Sequence, residues 1–189
     1  MLGDPRLEQA HALSALAVAA ARFFSEPSQA QAGVVREHAE ACRAKAGAVR
    51  SGASRDDREE MLTVSRHLSE AAVQVGKAVE ECQLFQVPAG RRLSGAFEPL
   101  CEAAQALERS FRALTRGGGQ GCVDLVLDAK RHCQQASRLA SEAVKQALEM
   151  PNTVDSIKFK ETFVRFSRSA DEIHQAADLI GELAAVKND

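Results

Sequence analysis

The chain has 189 residues, of which 45% are hydrophobic, 26% are charged and 4% are aromatic, with no Trp and no Tyr. This length supports one sizeable domain with a real core. The formal net charge of -2 lacks the basic excess typical of nucleic-acid binding, and the sequence has no basic arm, Gly-rich phosphate loop or aromatic stacking platform. We therefore expect no nucleic-acid partner.

The chain also lacks the usual signs of an oxidising compartment or a membrane span. Its five cysteines are odd in number and form no CxxC pair, which argues against a disulfide framework or a structural zinc knuckle. Reduced cytosolic thiols are the simplest interpretation. The apolar stretch ALSALAVAAARFF is too short to cross a membrane and lacks the basic start of a signal peptide. We expect a cytoplasmic protein that does not span the membrane, with peripheral association at the inner membrane left open.

In chain order, clusters of Pro, Gly and Ser interrupt an otherwise helical pattern at residues 25–29, 50–57, 86–92, 115–121 and 150–153. Between them we predict six helices, over residues 5–24, 28–49, 55–86, 91–115, 121–149 and 153–187. No stretch alternates with period two over a useful length, so we predict no strands. The third helix is expected to start at Asp56 or Asp57, and the sixth at Asn152 or Thr153.

The apolar residues of the longer helices recur at steps of three and four. In the sixth helix the pattern comprises Phe159, Phe163, Phe166, Ala170, Ile173, Ala177, Ile180 and Ala184. In the third helix it comprises Met61, Leu68, Ala72, Val75, Val79 and Cys82. Such seams are typical of antiparallel bundles with left-handed crossing. Their many alanines let helix axes approach closely, and the apolar flanks are compatible with a homodimer.

The two halves of the chain share a weak internal similarity. LSEAAVQVGK (68–77) aligns with IHQAADLIGE (173–182), and AEACRAKA (39–46) aligns with QQASRLAS (134–141). Gly76 and Gly181 each cost a helix about 1 kcal/mol relative to Ala, so their matching positions predict close helix contacts there. We predict one all-α domain over residues 1–189, an elongated six-helix bundle of two three-helix repeats spanning about 1–87 and 91–189.

Two stretches carry a resemblance to a known family. SRDDREEMLTVSRHLSEAAVQVGKAVEECQLFQV and DSIKFKETFVRFSRSADEIHQAADLIGELAAVKND resemble segments of PhoU-like phosphate transport regulators, in the branch of Pit accessory proteins. The resemblance extends from the second helix to the C-terminus. It implies a six-helix bundle of PhoU-like repeats that works beside an inorganic phosphate transporter.

The resemblance also implies where a metal would lie. The family carries E-x-x-x-D or D-x-x-x-D motifs on inner helices, where carboxylates four residues apart share a face. The matching positions and their neighbours here supply the candidate ligands His38, Cys42, Glu70, Cys133, Asp171, His174 and Asp178. Most family carboxylates are replaced, and a set of nitrogen, sulfur and oxygen suits zinc or another transition metal better than magnesium or calcium. The alternative is that the ancestral site has been lost and no cofactor is bound.

Other motifs have both a functional and an ordinary structural interpretation. His174 and Asp178 could form an acid–base pair, but no nucleophile or cofactor loop accompanies them. His38 or His67 could accept a phosphoryl group on the bundle surface. The GRR at 90–92 and the KFK at 158–160 could face an anion, a membrane or a transporter, or be solvated. TRGGGQG lacks the Lys-Ser or Lys-Thr ending of a phosphate loop and is interpreted as a turn.

The sequence therefore favours a non-enzymatic accessory or regulatory protein of inorganic phosphate transport. Its expected partner is the cytoplasmic face of a phosphate transporter, bound through surface complementarity. Two alternatives stay open: a bundle whose task is to bind a metal ion, and a protein-interaction bundle unrelated to phosphate.

Overall fold

The computed structural model describes residues 4–52, 58–88, 90–117 and 119–186. Within these ranges the chain forms six α-helices and no strand, which confirms the all-α prediction. The helices are α1 (Pro5–Ser25), α2 (Gln29–Gly52), α3 (Arg58–Leu84), α4 (Arg91–Thr115), α5 (Gly119–Leu148) and α6 (Thr153–Val186). The proposed caps Asp56 and Asp57 lie outside the described residues.

Helix ends are fixed by local hydrogen bonds. Asn152 caps α6 as predicted, because its side-chain oxygen accepts hydrogen bonds from the backbone N–H groups of Val154 (3.0 Å) and Asp155 (3.4 Å). At the end of α3, Gln86 adopts a left-handed φ of 52° and the N–H of Val87 donates to the carbonyl of Cys82 at 2.9 Å. This 6→1 bond turns the chain sharply toward α4.

Four helices form the centre of the bundle and two lie outside it. α1, α3, α6 and α4 pack in a closed square, in which α1 contacts α3 and α4, and α6 contacts the same two helices. α2 packs against α1 and α3, whereas α5 packs against α4 and α6. Consecutive helices therefore form two packed groups of three, joined through α1–α4 and α3–α6. The common ancestry of these groups stays a prediction.

The connections α1–α2, α3–α4 and α5–α6 lie at one end of the bundle, here called the loop end. α3 and α6 run antiparallel, since Cys82 near the end of α3 lies 3.5 Å from the Thr162 hydroxyl near the start of α6. α2 starts at the same level, because Gln83 donates to Gln29 at 3.1 Å. The loop end thus gathers the last turns of α1, α3 and α5 and the first turns of α2, α4 and α6.

Three phenylalanines from three helices meet near the loop end. Phe24 of α1, Phe97 of α4 and Phe166 of α6 have ring centroids 4.9 to 5.0 Å apart, at tilted or edge-on angles. All three side chains are fully buried. We call this cluster the aromatic joint, because it connects α1 of the first three-helix group to α4 and α6 of the second.

Glycine marks close helix contacts in both halves, as the sequence predicted. A Cβ added at Gly76 would lie 3.5 Å from the Cβ of Ala39 on α2. One added at Gly181 would lie 3.3 Å from Cγ1 of Val126 on α5. The outer helices therefore approach α3 and α6 closely where these central helices carry no side chain.

Replacing Phe166 with Ala should lower the free energy of unfolding by about 3–5 kcal/mol, because it opens a cavity inside the aromatic joint. Urea unfolding followed by circular dichroism measures this change. Phe85→Ala is the matched control, since Phe85 is 43% exposed and its loss should cost much less. Similar losses for the two variants would contradict the assignment of the joint as the main apolar contact between the halves.

Candidate functional site

Four of the candidate metal ligands lie together where α5 meets α6. Asp171, His174 and Asp178 follow one another along α6, and Cys133 lies on α5, near enough to Asp171 and Asp178 for their charges to act on its thiol. Burial raises the pKa of the Cys133 thiol to about 12, and the negative charges of Asp171 and Asp178 add to this effect. Without a metal, the thiol therefore stays protonated at neutral pH.

Asp178 is already engaged by two protein side chains. Its Oδ1 accepts a hydrogen bond from Nζ of Lys130 at 2.5 Å, and its Oδ2 lies 3.5 Å from Nε2 of His174. For Asp171, burial raises the carboxyl pKa; Glu172 adds to the shift and His174 opposes it. Lys130, which sequence reasoning missed, supplies the charge that a metal would otherwise supply to Asp178.

The other three candidates lie elsewhere. Cys42 is buried on α2, where its thiol points to the carbonyls of Gln9 and Leu68 at 3.8 Å each. Glu70 is exposed on α3 and accepts a hydrogen bond from Gln74 at 2.7 Å. His38 lines a groove between α1 and α2. The seven residues therefore do not form one site.

Nowhere in the described ranges do three His, Cys, Asp or Glu side chains converge in a way that could hold a metal ion. The residues present at the α5–α6 cluster do not fit a coordination site as they stand. Metal binding stays a prediction, and no ligand geometry among the described residues supports it.

The other motifs singled out in the sequence are held by neighbouring side chains. His67 is largely buried, and its Nδ1 lies 2.7 Å from Oε2 of Glu172 on α6. The Arg92 guanidinium lies 6.0 Å from the ring centroid of Phe159, a cation–π contact between α4 and α6. Phe159 itself is buried, while the flanking Lys158 and Lys160 are partly exposed.

A polar contact between α3 and α6 was not anticipated from the sequence. Arg165 donates to both carboxylate oxygens of Glu81, at 2.7 and 3.3 Å, and to Oε1 of Gln74 at 3.1 Å. The hydrogen bond that Arg165 donates to Glu81 raises the pKa of Arg165, so the guanidinium keeps its charge. This pairing fixes the register of the two helices.

The clearest unexplained surface is an apolar cluster at the loop end. Large hydrophobic side chains are exposed there by 43% to 76%, at the end of α3, the end of α5 and the start of α6. We define the loop-end patch by these residues: Leu84, Phe85, Leu148, Val154 and Ile157. Leu148 and Val154 flank the MPNT break. Their position next to a turn is the sequence feature that indicates their exposure.

No family model matches the chain, and no curated protein sequence matches it. Among the described residues, none of the helices is both long and apolar enough to cross a bilayer.

Zinc should not raise the melting temperature of the chelator-treated protein, because Lys130 neutralises Asp178 and the Cys133 thiol is protonated. Differential scanning fluorimetry with and without zinc measures this, with elemental analysis of the purified protein beside it. His174→Ala is the control variant. A zinc-dependent rise in the wild type that disappears in His174→Ala would contradict the expectation and support the metal hypothesis.

Cys101 should react with a thiol reagent before Cys42 and Cys133 do. Cys101 is only partly buried, whereas the other two are buried and their thiol pKa values are raised to about 12 by burial. The time course of labelling with Ellman's reagent measures the order. Cys101→Ser should remove the fast phase; a fast phase that persists in this variant would show that a buried thiol is accessible.

Proposed function

We propose that this chain is a non-enzymatic accessory or regulatory protein of inorganic phosphate transport, which acts by binding the cytoplasmic side of a phosphate transporter. The phosphate link rests on the resemblance of the third and sixth helices to PhoU-like regulators. The binding mode rests on the loop-end patch. In this proposal the patch binds one conformational state of the transporter more tightly than the other. Binding therefore shifts the population of the two states and with it the transport activity.

The loop-end patch is the observation that carries the binding mode. Five of the eight large hydrophobic side chains exposed in the described chain lie in it. Large exposed apolar side chains that gather at one end of a molecule mark a candidate contact surface for a partner. A protein surface that covers these side chains would gain roughly 25 cal/mol for each Å² of apolar area removed from water.

The charges around the loop-end patch favour a protein partner over an anionic membrane surface. Near the patch, residues 80–85, 90–97 and 145–161 carry five basic and five acidic side chains: Arg91, Arg92, Lys145, Lys158, Lys160, Glu80, Glu81, Glu149, Asp155 and Glu161. An anionic bilayer attracts clusters of basic residues, and these three segments together have no net positive charge. An interface with an apolar centre and a mixed polar rim matches the usual composition of protein–protein contacts.

The double change Val154→Glu with Ile157→Glu should abolish association with the transporter and remove the effect of this protein on phosphate uptake. Binding would bury the two introduced carboxylates without partners, and this would cost several kcal/mol of binding free energy. Co-purification with a phosphate transporter of the same cells, and uptake of radiolabelled phosphate by complemented deletion cells, measure the two effects.

Leu127→Glu is the matched control, because Leu127 is 45% exposed but lies on α5 away from the loop end. It should behave as the wild type. If deletion of the gene leaves phosphate uptake unchanged, the phosphate role is wrong. If deletion changes uptake but the patch variant complements fully, the phosphate role stands and the docking surface is wrong.

A further inference from the structure

A second surface feature lies apart from the loop-end patch, in a groove of about 410 Å³ between α1 and α2. We call it the α1–α2 groove and define it by Arg22, Gln31, Val18, Val34, His11 and His38. The two helices are antiparallel neighbours in the chain. Arg22 and Gln31 therefore lie toward the loop end, Val18 and Val34 in the middle, and the two histidines at the far end.

The dimensions of the α1–α2 groove suit a small elongated ligand. Arg22 and His11 are eleven residues apart on α1, which places them about 16 Å apart along the helix. Between them the floor is formed by small and branched apolar side chains, and Val34 is 43% exposed along its edge. Small-molecule sites commonly combine such an apolar floor with a few polar groups that set orientation.

The formal charge that lines the α1–α2 groove is positive. No Asp or Glu lines it, although the chain contains 26 acidic residues and has a net charge of -2. In the described part of the chain, Arg22 takes part in no salt bridge. At the other end of the groove, Nδ1 of His11 lies 3.0 Å from Oε1 of Glu108 on α4. A guanidinium at one end of an apolar groove is suited to a carboxylate.

Gln31 adds a second requirement. Its side-chain oxygen is buried and has no hydrogen-bond partner in the described structure. An unpaired buried acceptor is costly. Rotation of the Gln31 amide about its last side-chain bond would turn this oxygen toward the groove, where a ligand O–H or N–H would donate to it. Because Gln31 lines the groove at the same end as Arg22, the donor belongs next to the carboxylate of the ligand.

We propose that the α1–α2 groove binds an aliphatic carboxylic acid that carries a hydroxyl or N–H group beside its carboxylate. The carboxylate pairs with Arg22, the adjacent O–H or N–H donates to Gln31, and the aliphatic chain lies over Val18 and Val34 toward the histidines. This site is independent of the loop-end patch and of the proposed role in phosphate transport.

Three eight-carbon probes separate these contacts by isothermal titration calorimetry on the full chain. 2-Hydroxyoctanoate has the carboxylate, the hydroxyl and the chain; octanoate lacks the hydroxyl; 1,2-octanediol lacks the charge. We expect 2-hydroxyoctanoate to bind most tightly, octanoate about tenfold more weakly, and the diol weakest of the three. Shifts of backbone amide signals on α1 and α2 should locate the bound probe.

Variants of exposed or partly exposed residues test each contact without disturbing the core. Arg22→Ala should weaken both acids about tenfold or more. Arg168→Ala, an exposed arginine on α6, should leave binding unchanged. Gln31→Ala should remove the difference between 2-hydroxyoctanoate and octanoate, and Val34→Glu should block both acids.

Several results would overturn the site. One is the absence of measurable binding of 2-hydroxyoctanoate to the wild type. Another is equal binding to wild type and to Arg22→Ala, once circular dichroism has shown that both are folded. Amide shifts confined to the residues of the loop-end patch on α3, α5 and α6 would also contradict it, since they would place the probe on that patch.

Discussion

The aromatic joint formed by Phe24, Phe97 and Phe166 is the contact on which the arrangement of the two halves depends. Many buried residues of the seams are alanines, which bury little area each, so the large buried rings contribute a disproportionate share of the apolar contact. Because the rings come from α1, α4 and α6, their packing sets the distance between the two three-helix groups. The small residues of the seams then allow the remaining helices to approach closely.

Polar contacts between α3 and α6 give the two helices a unique register, which apolar packing alone does not. Arg165 joins Glu81 and Gln74, and Ser169 donates to the carbonyl of Ala71 at 3.3 Å. Sliding one helix by a turn would separate these partners and leave polar groups unpaired in a half-buried seam. His67 of α3 and Glu172 of α6 add a further polar contact between the two helices, with 2.7 Å between Nδ1 and Oε2.

Periodicity was sufficient to predict the helices, because steps of three and four recur in nearly every segment and Pro, Gly and Ser mark the turns. It was insufficient for the sites, since it does not determine how far each helix rotates or which neighbour it meets. Cys133 thus joins Asp171 and Asp178, whereas Cys42 faces the carbonyls of Gln9 and Leu68 in the other half. Likewise, Val154 and Ile157 are apolar in sequence but lie on the exposed side of the start of α6, whereas Ser156 between them is buried.

The position of the loop-end patch relative to the aromatic joint has a consequence for binding. Val154 and Ile157 lie on the first turns of α6, whose next turns carry the buried Phe159, Phe163 and Phe166. Phe159 is further held by the Arg92 guanidinium of α4. A partner that covers the patch therefore meets side chains on a helix whose next turns are already fixed by buried aromatic packing. Little conformational entropy remains to be lost there on association, so more of the apolar burial appears as affinity.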